Sequence, residues 1–299
     1  MNQPLIKVGI CIAYDWDFLR YSIPFIYEDS DYICLSLDSE RTSWTLHPFA
    51  FDEVEFRDLV HELDPQRKIH IYEDNFHLFD LTPKENEVRQ RNKMADFMGD
   101  GGWHLQLDTD EYFIDFTGFV RYLKSAHFSR PVNICCPLIT LFKKVDGGYL
   151  WIKNEKPSNQ DTIAIATNAP KYQFGRRNGH FNILTNYPLL HQSWAREVHE
   201  IAEKVENWGH SRDFDVKKYL EFWKDLSKTN YQAVHNFHPI NPPQWEILNF
   251  QEGTTISLLI DIFRQKKPIV FPWAYLSISN SIWISRGKKM MELVLNSFK

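Results

Sequence analysis

The first third of the chain alternates short apolar segments with helix-like segments, and this alternation limits the fold more than any other feature. The apolar segments are rich in β-branched residues and are predicted strands; they span about residues 7–14, 31–38, 68–73 and 103–108. Helix-like stretches, without hairpin turn signals, separate them. Strands joined in this way form a parallel sheet with helices on both faces. The sequence therefore predicts an α/β fold with a mostly parallel, Rossmann-like central sheet.

The clearest helical segment begins at Thr82. Thr82 is an N-cap candidate, Pro83 occupies the first helical position, and Glu85 completes a capping box. Gly99 ends the segment, and the strand "WHLQLD" follows at once.

The pattern changes after about residue 132. The stretch "VNICCPLITLFKKVDGGYLWI" predicts a hairpin that turns at Asp146-Gly147-Gly148, and "AREVHEIAEKVENW" predicts a helix over 195–208. Beyond 209, helix-like stretches flank a proline-rich connector. We therefore predict a domain over 1–208 and a mainly helical C-terminal extension over 209–299.

Composition excludes several classes of protein. The formal net charge is -5 and no basic stripe occurs, which disfavours nucleic acid as a partner. The four cysteines lie in apolar runs without C-x-x-C spacing, as is typical of reduced thiols in the cytoplasm. The N-terminal residues lack a basic stretch followed by a long apolar run, so we expect no signal peptide, and no apolar run reaches the ~20 residues that a membrane span needs. The expected location is cytoplasmic.

An acidic cluster, Asp108, Asp110 and Glu111, follows the fourth predicted strand in "HLQLDTDEYF". On an extended backbone the first two carboxylates would lie on the same side, roughly 6.5 Å apart at ~3.3 Å rise per residue. Such a pair favours a divalent cation with hard oxygen ligands, Mg²⁺ or Mn²⁺, that bridges to phosphate oxygens. Short acidic clusters are also common in solvated loops. The strand in front favours a ligand, because ligands bind beyond the carboxyl ends of parallel strands.

Two longer stretches resemble a known family. "RQRNKMADFMGDGGWHLQLDTDEYF" is similar to the Arg-Asn helix and D-x-D strand of family 2-like glycosyltransferases, which have the GT-A fold. "LLHQSWAREVHEIAEKVENWGHSRDFD" resembles the His-x-Ser-Trp and Lys-x-x-x-Trp-x-His pattern of bacterial members. The opening strand "VGICIAY" agrees in order and spacing, so the resemblance covers about residues 6–250.

The resemblance implies a nucleoside diphosphate-sugar donor and a divalent metal. Asp110 would bind the metal directly, and Asp108 would contact the ribose or a metal-bound water. His191 would be a third ligand that arrives late, and Asp38 would lie near the base or ribose. The segment after Asp38, "LSLDSERTSW", departs from the family's usual Asp-Asp/Gly-Ser-type ending.

Three further residues, Arg91, Asn92 and Lys204, are candidates for binding the nucleotide. Arg91 and Asn92 lie beside the buried face of their helix. Arg91 would reach either the diphosphate or the Asp108 carboxylate, where it would buttress the acidic cluster. Lys204 shares a helix with Trp208 and would line the site.

The reaction would be an inverting transfer to a glycan or lipid-linked acceptor. Its base would be a carboxylate near the acceptor hydroxyl, and Glu155 and Asp161 are the two candidates, with Asp161 preferred.

Two alternatives to glycosyl transfer remain. A nucleotidyltransferase of sugar phosphates should carry a glycine-rich loop with a basic residue after the first strand, and "CIAYDWDFLR" lacks one. A non-catalytic glycan-binding protein with the same fold is the other. The C-terminal "SRGKKMMELVLNSFK" is basic and amphipathic, and suits either peripheral contact with an anionic membrane or docking on the protein's own surface.

Overall fold

A computed structural model describes residues 3–207 and 214–284. Within these residues the chain forms eleven strands and eight α-helices. The strands are β1 (Ile6–Ile12), β2 (Tyr32–Asp38), β3 (Ile69–Asp74), β4 (Trp103–Leu107), β5 (Glu111–Phe113), β6 (Val132–Val145), β7 (Gly148–Lys153), β8 (Thr162–Thr167), β9 (Phe181–Leu184), β10 (Leu189–His191) and β11 (Ile247–Glu252). The helices are α1 (Leu19–Ile26), α2 (Glu53–Leu63), α3 (Pro83–Met98), α4 (Phe116–Ser125), α5 (Val198–Asn207), α6 (Val216–Asp225), α7 (Ile256–Lys266) and α8 (Trp273–Ser279).

The main sheet has the strand order β11-β7-β6-β8-β4-β1-β2-β3. β3, β2, β1 and β4 are parallel neighbours, and β8 runs antiparallel between β4 and β6. Helices pack against this sheet, so the predicted α/β class and mostly parallel first half are confirmed, and the central sheet is Rossmann-like. The parallel arrangement places the carboxyl ends of β1, β2 and β4 at one edge of the sheet.

The parallel strands form the centre of the core because one face of each carries apolar side chains that pack together. Ile6, Val8 and Ile10 of β1 and Leu105 of β4 are fully buried. Gly9 lets α3 approach closely, since a Cβ atom there would lie 2.8 Å from Cε of Met94. The close approach of α3 carries its polar residues up to the sheet edge.

The predicted capping box of α3 is present. The Thr82 hydroxyl accepts from the Glu85 amide at 3.3 Å, and the Glu85 carboxylate accepts from the Thr82 amide at 2.8 Å. Pro83 begins the helix, and Gly99 ends it with a φ of 74°. The local sequence signals therefore set both ends of α3 correctly.

A small second sheet brings distant segments to the end of β4. β5 pairs antiparallel with β10, which runs parallel to β6, and His191 lies opposite Glu111 in this register. The predicted hairpin is confirmed as β6 and β7, which pair antiparallel around Gly147.

The chain after residue 213 adds a strand as well as helices. β11 pairs antiparallel with β7. A hydrophobic cluster combines Phe142 and Leu150 with Trp223, Phe237 and Trp245. The proposed domain boundary falls in 208–213, outside the described residues, as does the C-terminal segment 285–299. The predicted division into two domains therefore remains a prediction.

No helix in the described parts of the chain is long and apolar enough to cross a membrane.

Candidate functional site

A cavity of about 470 Å³ opens at the carboxyl edge of the parallel strands. Six of the nine side chains predicted from sequence line it: Arg91, Asp108, Asp110, Asp161, His191 and Lys204. Asp38, Asn92 and Glu155 are not part of its wall.

The acidic cluster does not continue the extended backbone of β4. The strand ends at Leu107, and a turn follows in which the Glu111 amide donates to the Asp108 carbonyl at 3.2 Å. The two aspartates consequently pair with different groups of side chains. The predicted same-side placement of the two carboxylates assumed an extended backbone through 108–110, and the turn does not meet that condition.

Asp108 lies between two arginines. Its Oδ1 is 3.1 Å from Nη2 of Arg91, and its Oδ2 is 2.7 Å from Nη2 of Arg176. Arg176 also pairs with Glu111 at 2.8 Å. Burial alone would raise the pKa of Asp108, but Arg176 and Arg91 outweigh burial and hold that pKa well below its usual value. Arg91 is thus the buttress of the acidic cluster.

Glu111 is the most buried of the three acidic residues, at 1% exposure. Burial raises its pKa to about 7, against the opposing effect of Arg176. Its Oε2 accepts from the Asp108 amide at 3.0 Å, and this hydrogen bond stabilises the turn.

Asp110 is almost fully buried, at 2% exposure, and holds two basic side chains. Arg196 pairs with it through a short contact, and Nζ of Lys204 is 3.1 Å from the same oxygen. Arg196 also reaches Asp15 at 2.9 Å, in the turn that follows β1. Burial would raise the pKa of Asp110, but Lys204 and Arg196 hold it well below its usual value.

His191 approaches Asp110 from β10. Its Nε2 is 3.5 Å from Oδ1 of Asp110. Burial lowers the pKa of His191 to about 4, although Asp110 opposes the shift, so the imidazole is neutral at pH 7. Burial also lowers the pKa of Lys204, with a further contribution from Arg196.

Within the described residues, the acidic side chains at the cavity do not form a preassembled metal site. Among the described residues, no group of three His, Cys, Asp or Glu side chains is placed to hold a metal ion. The carboxylates of Asp108 and Asp110 are already engaged by four basic side chains: Arg91, Arg176, Arg196 and Lys204. These ion pairs relieve the repulsion within the acidic cluster. The metal assignment to Asp108, Asp110 and His191 remains a prediction from the resemblance.

The structure separates the two base candidates. The Asp161 carboxylate lies at the cavity and accepts from Nε2 of Gln244 at 2.7 Å and Nε1 of Trp245 at 2.9 Å. Glu155 is exposed and away from the cavity, with its backbone amide donating to Glu246. Of the two candidates, Asp161 lines the cavity and Glu155 does not.

Asp38 and Asn92 serve the polypeptide itself. The buried Asp38 carboxylate accepts from the backbone amides of Glu40, Phe76 and His77 and from the Thr42 hydroxyl. The expected contacts of Asp38 and Asn92 with the nucleotide are therefore corrected: neither residue lines the cavity. The Asn92 side chain accepts from the Tyr172 backbone amide at 2.8 Å and donates to the Tyr172 carbonyl at 2.9 Å.

Sequence reasoning missed Arg196 and Asp15, which line the cavity, and Arg176, which pairs with Asp108 but does not line it. Arg176 comes from a tight turn, in which Phe174 bridges Arg177, within a stretch that has no periodic signal. Arg196 lies inside the "HQSWAR" stretch that carries the resemblance, and its place close to His191 in that stretch could have indicated that it belongs to the site. Asp15 stands in "AYDWD", directly after the first strand. Trp208 and His210, the last positions of the downstream pattern, lie outside the described residues.

Comparison with known proteins adds little to this geometry. No protein-family model and no curated protein sequence matches the chain. HddC from Yersinia pseudotuberculosis is similar in structure over 67% of this chain and 99% of its own, with 11% identity and a TM-score of 0.38. The 4-diphosphocytidyl-2C-methyl-D-erythritol synthase from Anaerococcus prevotii is similar over 55% and 69%, with 12% identity and a TM-score of 0.34. At these TM-scores neither protein assigns an activity or a residue role to this chain.

We expect Asp110→Asn to destabilise the protein by roughly 3 to 5 kcal/mol, because it leaves Arg196 buried with half of its charge compensation removed. Urea unfolding measures the change. Asp261→Asn is the matched control: it breaks a pair with Arg264 that is exposed on both sides, and should cost about 1 kcal/mol or less. An Asp110→Asn variant as stable as the control would show that the ion pairs around Asp110 do not support the fold.

The lowered pKa of His191 predicts a dependence of stability on pH. Because the unfolded chain binds a proton near pH 6.5 and the folded chain near pH 4, stability is complete above pH 6.5 and falls as pH decreases towards 4. His191→Gln should lose less stability than wild type over this window, by about 1 to 3 kcal/mol. Thermal melts from pH 7 to 4 measure it, with the exposed His47→Gln as control. Parallel curves for His191→Gln and wild type would contradict the assignment.

Proposed function

We propose that this chain is a transferase that acts on nucleotide-activated sugars. It passes a sugar from a nucleoside diphosphate donor to a hydroxyl of a glycan or lipid-linked acceptor. The observation that carries the proposal is a single cavity, at the carboxyl edge of a Rossmann-like sheet, that combines a cluster of basic side chains with the separate carboxylate of Asp161. Ligands of open α/β sheets bind at this edge.

The basic cluster suits the diphosphate. Lys204 and Arg196 both line the cavity and now donate to Asp110. The side chain of Lys204 is the more accessible of the two, at 23% against 2% exposure. An ammonium on a flexible stem can turn from a carboxylate to a phosphate oxygen without moving the backbone.

Asp161 is the proposed catalytic base. Its two partners, the Gln244 amide and the Trp245 indole, are neutral donors that orient the carboxylate. By contrast, Asp108 and Asp110 are each held by two basic side chains. A carboxylate that is positioned but has no ion-pair partner among residues 3–207 and 214–284 is the better proton acceptor at this cavity.

The reaction is a single displacement. The acceptor oxygen forms a bond to the anomeric carbon as the bond from that carbon to the diphosphate oxygen breaks. The acceptor proton goes to Asp161, and the nucleoside diphosphate leaves with the electron pair. Attack opposite the leaving group inverts the configuration.

A requirement for Mn²⁺ or Mg²⁺ is a separate question. The ion pairs of Asp108 and Asp110 with Arg91, Arg176, Arg196 and Lys204 would have to open to admit a cation. Nucleotide titrations in MnCl₂, in MgCl₂ and in EDTA answer it directly.

Nucleotidyl transfer to a sugar phosphate is the second candidate. The basic side chains around Asp108 and Asp110 favour it, because a nucleoside triphosphate carries more negative charge than a nucleotide sugar. The Anaerococcus prevotii synthase is named for a diphosphocytidyl product and belongs with this candidate, although its TM-score of 0.34 gives it no weight in the choice.

One set of assays separates the candidates. Nucleotide sugars are screened for release of nucleoside diphosphate, and pairs of nucleoside triphosphate and sugar 1-phosphate for release of pyrophosphate. We expect turnover in the first screen. Turnover only in the second would establish nucleotidyl transfer, and glycan binding without turnover in either would indicate a non-catalytic protein.

Asp161→Asn should lower release of nucleoside diphosphate by about 10²- to 10⁴-fold, as loss of a general base does. Binding of UDP, followed by calorimetry, should stay within about twofold, because the phosphates lie with the basic cluster. Glu155→Gln, a carboxylate outside the cavity, is the control and should turn over normally. Normal turnover by Asp161→Asn would remove Asp161 from the mechanism.

A further inference from the structure

Trp44 occupies the wall of the cavity although no motif pointed to it. It lies in the loop between β2 and α2, within the segment that departs from the family pattern. The side chain is half-buried, and its accessible part borders the cavity. A partly accessible tryptophan in a ligand cavity offers a large, rigid aromatic surface.

Side chains of α3 hold the indole in place. Its Nε1 donates to Oε1 of Gln90 at 2.7 Å, and the Trp44 carbonyl accepts from Nδ2 of Asn86 at 3.3 Å. Gln90 is itself buried and fixed, since its amide donates to the carbonyl and hydroxyl of Ser36, both at 3.1 Å. With its N–H used in this way, the ring can offer a ligand its π surface but not a hydrogen bond.

Arg91 connects this ring to the acidic cluster. The guanidinium carbon lies 5.5 Å from the centroid of the Trp44 ring, and the same guanidinium pairs with Asp108 at 3.1 Å. The aromatic surface and the charged end of the cavity are therefore separated by one side chain. A ligand with a flat ring next to a diphosphate matches this order of groups.

We propose that Trp44 is the platform on which the base of the nucleotide stacks. This inference rests on the proposed function, since it assumes a nucleoside diphosphate at the charged end. Trp44 takes the place that was predicted for Asp38 beside the base, because the Asp38 carboxylate already accepts hydrogen bonds from backbone amides of the loops. Stacking on an aromatic ring is tolerant of the identity of the base, since every base has a π face.

The test compares a nucleotide with its phosphates alone. Calorimetry measures binding of UDP, CDP, ADP and GDP to the wild type. The tightest of these, and inorganic pyrophosphate, are then titrated into Trp44→Ala and Trp44→Phe in the same buffer. Trp273→Ala, which removes a tryptophan with 82% exposure on α8, is the matched control.

We expect Trp44→Ala to weaken the nucleoside diphosphate by about 10-fold or more, within the range for one stacked base. Pyrophosphate should bind within about twofold of wild type, Trp44→Phe should recover most of the lost affinity, and the control should be unchanged. Melting temperatures show that each variant is folded.

Two results would overturn the platform while leaving the proposed function intact. One is a Trp44→Ala variant that binds the nucleotide as tightly as wild type. The other is an equal loss for nucleotide and pyrophosphate, which would mean that Trp44 only supports the shape of the cavity. A wild type that binds none of the four nucleotides would overturn the proposed function and the platform together.

Discussion

The pairing of Asp110 with Arg196 and Lys204 holds the cavity together. Asp110 belongs to the turn after β4 and Lys204 to α5. Arg196 pairs with Asp110 and also with Asp15, in the turn that follows β1. A charge buried at this depth is very costly when unpaired, so these segments cannot separate without a large penalty. The Asp110 carboxylate therefore connects segments that are far apart in the sequence.

A second cluster of ion pairs, around Asp108, also joins distant segments of the chain. Arg91 from α3 and Arg176 from a distant turn meet at Asp108, and Arg176 continues to Glu111. Acidic and basic groups nearly balance, which makes the site stable without a ligand. The balance also means that a phosphate must compete with the carboxylates for the basic side chains, so ligand binding exchanges one set of ion pairs for another.

The elements with strong local signals were predictable from the sequence. Strand and helix alternation led to the parallel sheet, the capping box marked α3, and the Gly147-Gly148 turn marked the β6–β7 hairpin. Part of the site followed in the same way, because residues at strand ends reach a common edge.

The rest of the site depends on contacts between residues far apart in the sequence. Arg196 and Asp110 are 86 positions apart, and Arg176 and Glu111 are 65 apart, so no local pattern connects them. Asp38 was assigned to the nucleotide because a strand-end aspartate commonly faces a ligand. Only the folded loops show that backbone amides take up its carboxylate.

The central claim is that a nucleoside diphosphate binds in this cavity with its phosphates at the basic cluster. A crystal structure of the protein with the tightest-binding nucleoside diphosphate, grown with Mn²⁺ and again with EDTA, tests it most directly. The account predicts a diphosphate within hydrogen-bond distance of Lys204 or Arg196, with Lys204 turned away from Asp110. A nucleotide bound elsewhere on the protein, with the pairs between Asp110, Arg196 and Lys204 unchanged, would contradict it.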